Sequence, residues 1–309
     1  MEGIDWLGKL SQSSQIPNDH RVLWNMSGRA PTLTKSLVLA DPMCKRLKRG
    51  HELIDRDSAL SKVPAVTLGF WIIKIAATTL GETAGDTATM TMNLGYLAGT
   101  AIFLSVLVLL VFLQIIARKF HPFLYWVTII ASTTAGTTMA DFADRSLGIG
   151  YTGGSSVLFL SVLVVLGLWY RSEGTVSVAT VNSPRVEAFY WMTITLSQTL
   201  GTALGDWMAD TSGLGYLGGA AVFMAALAIV AAAYYWTNVS RVLLFWAAFI
   251  LTRPLGATVG DFLDKPLHQG GLNFSRPIAS AIIAAFILIC ILVIPQKPGR
   301  HPEPSANTA

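Results

Sequence analysis

Charged residues are scarce in this chain. They make up 13% of its 309 residues, whereas hydrophobic residues make up 52%. Soluble domains carry roughly 25% charged residues, so this composition does not suit a soluble surface. Cysteine is also sparse, since Cys44 and Cys290 provide neither a disulfide framework nor a metal-binding spacing. The sequence has no nucleophile elbow, histidine-based metal motif or phosphate-binding loop, so we expect no enzyme activity and no catalytic residue.

Long apolar runs are what the sequence does contain. Eight of them approach the roughly 20 residues that a helix needs to cross a hydrocarbon core. Helices are expected because lipid cannot satisfy the hydrogen bonds of an open backbone. The chain is therefore predicted to be an all-α polytopic membrane protein with eight transmembrane helices. The runs lie near residues 65–85, 96–116, 122–141, 151–170, 187–206, 215–235, 242–261 and 277–295.

The distribution of basic residues predicts the topology. Lysine and arginine cluster before the first run, in alternate loops and near the C-terminus, and they give a net charge of +4. With an even number of spans these segments lie on one side, which the positive-inside rule makes cytoplasmic. We predict a multi-pass protein of the cell (inner) membrane, with both termini cytoplasmic, the lipid bilayer as partner and no nucleic-acid partner. Residues 1–61 form a polar extension, either disordered or folded, residues 62–297 the membrane domain, and residues 298–309 a tail.

Four internal repeats share one spacing. Trp71, Trp126, Trp191 and Trp246 each precede a glycine by ten residues and an aspartate by fifteen. Each unit reads as a helix, a polar outer loop and a second helix, so the units are four parallel two-helix repeats. We expect the tryptophans to anchor the helices at the membrane interface. A pseudo-fourfold ring and two pseudo-twofold pairs both fit. The repeats cover about residues 65–118, 120–172, 185–238 and 240–296.

The first helix of each repeat carries a polar stripe that ends in the repeated aspartate. Residues four apart share one helix face, and a polar face is costly in lipid, so we expect the stripes to face the bundle interior. Alternatively the carboxylates lie at the interface, or Asp206 caps a short helical turn. The stripes are Lys74–Thr78–Glu82–Asp86, Ile129–Thr133–Thr137–Asp141, Ile194–Gln198–Thr202–Asp206 and Phe249–Arg253–Ala257–Asp261.

Carboxylate and hydroxyl oxygens suit hard cations such as Mn²⁺, Ca²⁺ or Mg²⁺, or a proton relay. Lys74 and Arg253 are expected to balance charge, Arg253 by pairing with Asp261, and Pro254 to kink or break its helix. The candidate ion-binding residues are Glu82, Asp86, Asp141, Asp206, Asp261, Thr78, Thr133, Thr137, Gln198 and Thr202. Within this set the candidate metal ligands are Glu82, Asp86, Asp141 and Asp206. Three further acids are assigned to the outer loops: Asp144, Asp210 and Asp264.

The repeats resemble a known family. "KVPAVTLGFWIIKIAATTLGETAGD", "HPFLYWVTIIASTTAGTTMADFADRSLGIGYTGG", "GTALGDWMADTSGLGYLGG" and "FWAAFILTRPLGATVGDFLDKPL" are similar to the bacterial family of uncharacterised membrane-anchored proteins, over about residues 62–297. The resemblance implies a bacterial inner-membrane location and brings no established activity. A looser similarity links Glu82–Asp86 to calcium/manganese transporters with a Glu-x-Gly-Asp signature, from which it departs by one additional residue.

Three functions are consistent with these patterns. The leading hypothesis is a transporter or exporter of an inorganic cation, with a divalent ion as the first candidate and with no cofactor besides the transported ion. The second is a cation channel with a pseudo-fourfold pore. The third is a membrane sensor or scaffold that transports nothing. A proton could replace the metal ion as the partner of the carboxylates, and the sequence leaves the oligomeric state open.

Overall fold

The computed structural model describes residues 60–300. Within that range the chain forms eight α-helices and one two-stranded antiparallel sheet. The predicted N-terminal extension lies outside the described residues except for its last two, and so does most of the predicted tail. The strands are β1 (Leu60–Pro64) and β2 (Pro298–Arg300). The helices are α1 (Leu68–Asp86), α2 (Tyr96–Ile116), α3 (Pro122–Asp141), α4 (Tyr151–Glu173), α5 (Pro184–Asp206), α6 (Gly215–Trp236), α7 (Arg241–Asp264) and α8 (Arg276–Val293).

Local sequence signals mark the start of several helices. Thr67 and Ser183 cap α1 and α5, because each side chain accepts a hydrogen bond from a backbone N–H of the first turn. Helices α2 and α4 begin directly after Gly95 and Gly150, whose φ angles of 76° and 78° favour glycine. Tyr96 and Tyr151, which follow these glycines, are the first residues of the second helix of their repeats.

The first helices of the four repeats form a closed inner ring. Helix α1 packs against α3, α3 against α5, α5 against α7, and α7 against α1. The second helix of each repeat packs outside this ring on the first helix of the following repeat, as α2 on α3, α4 on α5 and α6 on α7. Helix α8 completes the circle by packing on α1. Of the two arrangements that the sequence allowed, the structure has the ring.

Glycines set the close spacing of the inner ring. Gly81 packs against Thr133, and Gly256 against Thr78, so that the glycine of one repeat meets the stripe of the next. One turn further along both helices, Gly85 packs against Thr137. The contacts therefore advance in the same direction on neighbouring inner helices. Small residues four apart permit this close approach of two helices.

Three of the four repeat tryptophans are buried inside the protein, which corrects for them the prediction that they anchor the helices at the membrane interface, whereas Trp71 is partly exposed. The side chains of Trp126, Trp191 and Trp246 are 0–4% exposed. The residue before each tryptophan is also aromatic and contacts the tryptophan of the next repeat, so the eight rings form a closed aromatic layer. Its four contacts between repeats, with ring-centroid distances, are Phe70–Trp126 at 5.4 Å, Tyr125–Trp191 at 5.8 Å, Tyr190–Trp246 at 6.3 Å and Phe245–Trp71 at 5.7 Å.

The outer helices carry the apolar surface. Large exposed side chains such as Leu97, Phe112, Leu160 and Ile282 lie on α2, α4 and α8. Five helices in the described part of the chain are long and apolar enough to cross a membrane: α2, α4, α6, α7 and α8. Helices α1, α3 and α5 are less apolar because they carry polar stripes. They are largely buried behind the outer helices. Helix α7 continues through Pro254, so the predicted break is absent from this described helix.

The ring contacts predict how the protein responds to a single methyl group. A Cβ added at Gly136 would lie 2.9 Å from the backbone carbonyl carbon of Gln198, which cannot move aside like a side chain. We expect Gly136→Ala to destabilise the protein by about 1–3 kcal/mol, the usual effect of overpacking. Gly167→Ala is the matched control, because Gly167 lies on α4 with open space around it. Thermal unfolding in detergent measures both, and equal midpoints would contradict the packing.

Candidate functional site

The polar stripes of the inner helices face the interior of the ring. Their sixteen residues are between 0 and 3% exposed. The repeated carboxylates are therefore enclosed by protein, which removes the alternative in which they lie at an exposed interface. The stripe positions form layers across the ring, each with one residue from every inner helix. We call the layer of Asp86, Asp141, Asp206 and Asp261 the acidic layer.

Arg253 lies at the centre of the ring. It belongs to α7, and the two N–H groups of its Nη2 atom are shared among Glu82 Oε2 on α1 at 2.9 Å, Thr137 Oγ1 on α3 at 2.6 Å and Thr202 Oγ1 on α5. One guanidinium thus contacts the other three inner helices. The fourth residue of the layer that it reaches is Ala257, whose short side chain leaves room for the guanidinium.

The partner of Arg253 differs from the prediction. The sequence suggested a pair with Asp261 on the same helix, whereas the structure pairs Arg253 with Glu82 on the neighbouring helix α1. The reason is that neighbouring inner helices are close enough for a side chain of one to reach the stripe of the next. Lys74, the other predicted balancing charge, is fully buried, and its Nζ atom lies 4.1 Å from the ring centroid of Phe249.

Lys265 joins two carboxylates of the acidic layer. Its Nζ atom lies 2.8 Å from Asp86 Oδ2 and 3.0 Å from Asp261 Oδ1, and so connects the first and fourth repeats. Burial alone would lower the pKa of Lys265, but the carboxylates of Asp261, Asp86 and Asp264 hold it above its usual value. The side chain is therefore an ammonium ion at physiological pH.

Arg145 does the same between the second and third repeats. Its Nε atom lies 2.8 Å from Asp141 Oδ1, and its Nη2 atom lies 3.9 Å from Asp206 Oδ2. Arg145 and Lys265 each stand four residues after the aspartate of their repeat, whereas the first and third repeats have Met90 and Asp210 at that position. Cations therefore alternate around the acidic layer.

Arg145, Lys265 and Arg276 were not among the site residues predicted from the sequence. The first two could have been found by extending each polar stripe one further turn, since residues four apart share a helix face. Arg276 had no such signal. It begins α8, and its Nε atom lies 3.3 Å from Asp264 Oδ2 and 3.8 Å from Asp86 Oδ2 because α8 packs on α1.

Wide helical turns follow the aspartates of the first three repeats. Asp86, Asp141 and Asp206 are the last residues of their α-helices, and five residues of π-helix come next in each case. Such turns are rare and occur often at functional sites. They carry Asp144, Arg145 and Asp210 around the acidic layer. The helix continues through Asp206, and that side chain caps no turn in the described chain, so the capping alternative is wrong.

Three carboxylates come close enough to hold a metal ion. Oxygen atoms of Asp86, Asp261 and Asp264 lie within 4.8 Å of one another, and within residues 60–300 no other group of three does so. Asp86 Oδ1 and Asp264 Oδ1 are buried and have no hydrogen-bond partner in that range. Lys265 and Arg276 supply two positive charges against three carboxylates. When all five groups are ionised, the cluster carries one excess negative charge.

The structure divides the predicted ion-binding residues. Asp86 and Asp261 belong to the three-carboxylate cluster, Asp141 and Asp206 share Arg145, and Glu82 is paired with Arg253. The predicted neutral ligands lie deeper in the ring, below the acidic layer. They are Thr78, Thr133, Thr137, Gln198 and Thr202.

The three acids assigned to outer loops occupy different places. Asp264 is buried in the last turn of α7, not in a loop, because that helix extends one turn beyond Asp261. Asp144 is half-buried and Asp210 exposed, each in the π-helical turn of its repeat.

The central ion pair predicts a large and asymmetric effect on stability. Arg253→Gln leaves Glu82 buried without its cation, so we expect a loss of about 3–5 kcal/mol. In the double variant Glu82→Gln/Arg253→Gln neither charge remains. Its loss of unfolding free energy should be well below the sum of the losses in the single variants Arg253→Gln and Glu82→Gln. Arg185→Gln is the control, because the Arg185–Glu173 pair is exposed and worth about 0–1 kcal/mol. Unfolding by denaturant in detergent micelles measures all four variants, and strictly additive losses would contradict the pairing.

Four stretches of the chain match one repeat family. They cover residues 69–120, 124–175, 189–240 and 244–294, which together are more than half of the chain. Each stretch contains most or all of one inner helix and the outer helix that follows it. No curated protein matches the chain, and no solved structure does. The protein belongs to the family described as Repeat of Unknown Function (DUF347).

Proposed function

We propose that the protein is a membrane transporter of an inorganic cation, which binds between Asp86, Asp261 and Asp264. The observation that carries this proposal is the cluster of three buried carboxylates with oxygens within 4.8 Å. Carboxylate oxygens are the preferred ligands of hard divalent cations. The excess negative charge of the cluster favours a cation, and a transported ion needs such a site within the protein and away from lipid.

The proposal includes eight membrane spans, four parallel repeats and cytoplasmic termini in a cell inner membrane. Its support is that α1, α3 and α5 occupy places in the inner ring equivalent to that of α7, which is long and apolar enough to cross. Outer helices shield the polar stripes from lipid, so these three helices can span without being apolar themselves. The strands β1 and β2 pair, which places the ends of the described chain together at one end of the ring.

Lys265 acts as a resident counter-ion in this mechanism. Its ammonium lies between Asp86 and Asp261, where an arriving cation would also be attracted. Binding of a divalent ion displaces the ammonium, and release of the ion lets it return. A flexible lysine suits this role because its charge is a compact group on a four-carbon stem.

A carrier agrees better with this conformation than an open channel does. The centre of the ring is filled by Arg253, and the aromatic layer closes the ring near the start of the inner helices. An ion can reach the other side only when these groups move, which is typical of alternating access.

The cation site predicts the effect of removing one carboxylate. We expect Asp264→Asn to lower the affinity for Mn²⁺ by at least about 10–100-fold, since loss of a group that only supports a metal ligand already costs that much. Asp144→Asn is the matched control, because Asp144 stands at the equivalent position of the second repeat, outside the cluster. Calorimetry on purified protein measures binding, and flux into proteoliposomes measures transport.

Lys265→Gln should have the opposite effect on the affinity for Mn²⁺. It removes the competing ammonium, so Mn²⁺ should bind more tightly than in the wild type, while transport slows because the ion is not displaced. If Asp264→Asn binds Mn²⁺ as the wild type does, or if no divalent cation binds the wild type, the proposed substrate is wrong.

The eight-span topology predicts which residues a membrane-impermeant thiol reagent reaches from outside. In a variant without Cys44 and Cys290, Asp210→Cys should be labelled in intact cells, because Asp210 is exposed in an outer turn. Arg241→Cys, on the opposite end of the ring, should react only after the membrane is opened. Labelling of Arg241→Cys from outside would overturn the proposed orientation.

A further inference from the structure

Lys74 has no counter-charge within the described chain. Its side chain is fully buried near the start of α1, and its Nζ atom has neither a hydrogen bond nor an ion pair among residues 60–300. The face of the Phe249 ring, 4.1 Å away, is its polar contact. The equivalent positions of the next two repeats carry Ile129 and Ile194. A basic side chain thus stands where the other repeats have hydrocarbon.

Further unpartnered polar atoms lie one layer above Lys74. The hydroxyl of Thr133, both amide atoms of Gln198, and the Nε and Nη1 atoms of Arg253 are buried and have no hydrogen-bond partner in the described range. These three side chains stand at the same stripe position of three successive repeats, eight residues before the aspartate. They stand on three inner helices, one turn along the stripe from the layer that contains Lys74 on the fourth.

Such a group of atoms is unusual for a protein interior. Buried polar atoms are nearly always hydrogen-bonded, and a buried ammonium without a partner is more costly still. Buried sites of this kind hold ordered water or a ligand. The charges and hydrogen-bond donors of the site distinguish a bound ligand from ordered water. Arg253 is already paired with Glu82, Lys74 has no acidic partner in the described range, and four of the six unpartnered atoms are donor nitrogens, so the site favours an anion.

We propose that the protein binds a monovalent inorganic anion of halide size on the axis of the ring, between Lys74 and Arg253. Lys74 Nζ and the free Nε and Nη1 atoms of Arg253 supply charge-assisted donors. The amide nitrogen of Gln198 and the hydroxyl of Thr133 complete the shell. The anion balances the charge of Lys74. This site lies deeper than the carboxylate cluster, shares no residue with it and does not depend on the proposed transport of a cation.

The experiment measures whether chloride stabilises the purified protein. Thermal unfolding is followed in detergent as sodium chloride replaces sodium gluconate at constant ionic strength, since gluconate is too large for the axis. The midpoint should rise and then level off with chloride, as expected for a ligand that binds only the folded state. Equilibrium dialysis with radioactive chloride should give one bound ion per chain.

Lys74→Ile tests the central residue, because isoleucine is what the second and third repeats carry there. We expect its affinity for chloride to fall by more than about tenfold, as for truncation of one partner of a buried charge pair. Gln198→Leu is the second variant, with a smaller loss of affinity. Arg171→Ile, which removes an exposed positive charge from α4, is the control and should keep the dependence on chloride.

The outcomes separate this inference from the proposed function. Asp264→Asn should bind chloride like the wild type, whether or not it binds Mn²⁺. A wild-type protein whose unfolding midpoint does not change with chloride, together with no bound radioactive chloride, would overturn the anion site. So would an unchanged dependence on chloride in both Lys74→Ile and Gln198→Leu. In those cases the buried atoms are hydrated by water alone.

Discussion

The contact between Arg253 and Glu82 is the constraint on which the ring depends. Each group alone would be a buried charge, and either would be more stable outside the protein than within it. Held 2.9 Å apart, with hydroxyls of Thr137 and Thr202 on the same guanidinium, they link the four inner helices at one point. The polar stripes can therefore lie in the protein interior, and the aspartates above this pair can remain buried.

The two helices of each repeat have different tasks. The inner helices carry threonines, glycines and charges, and the outer helices carry leucines, valines and phenylalanines. Packing inside a membrane gains little from apolar burial, so inner helices associate through close contacts of small residues and through polar groups. Because each outer helix covers the inner helix of the next repeat, every repeat is completed by its neighbour. The closure of α8 onto α1 leaves no inner helix uncovered.

Much of this architecture could be predicted from the sequence. The inward orientation of the stripes follows from helix geometry, because it depends on residues within one helix. Three of the tryptophans were assigned wrongly because an interface anchor and a buried ring have the same sequence signal. Only the neighbouring repeat, with its aromatic residue before the tryptophan, distinguishes them.

The partners of the charges could not be predicted, because they are contacts between helices. Arg253 reaches Glu82 rather than Asp261, and Arg276 reaches the cluster from α8. Both depend on the closure of the ring, which brings the fourth repeat against the first. Lys265 and Arg145 could have been predicted to lie beside the aspartates, since a stripe that continues past the aspartate already contains them.

The alternation of Arg145 and Lys265 has a mechanical consequence. The inner ring has four contacts between neighbouring helices, but these cations link the helices at only two of them. One is the contact between α7 and α1, and the other is the contact between α3 and α5. At the acidic layer, the other two contacts between inner helices have no such bridging cation among residues 60–300 and depend on the packing of small residues. The acidic layer is thus divided into two halves, each linked by one cation. One half comes from the fourth and first repeats, and the other from the second and third. Separation of these halves would cost less than any other division of the acidic layer.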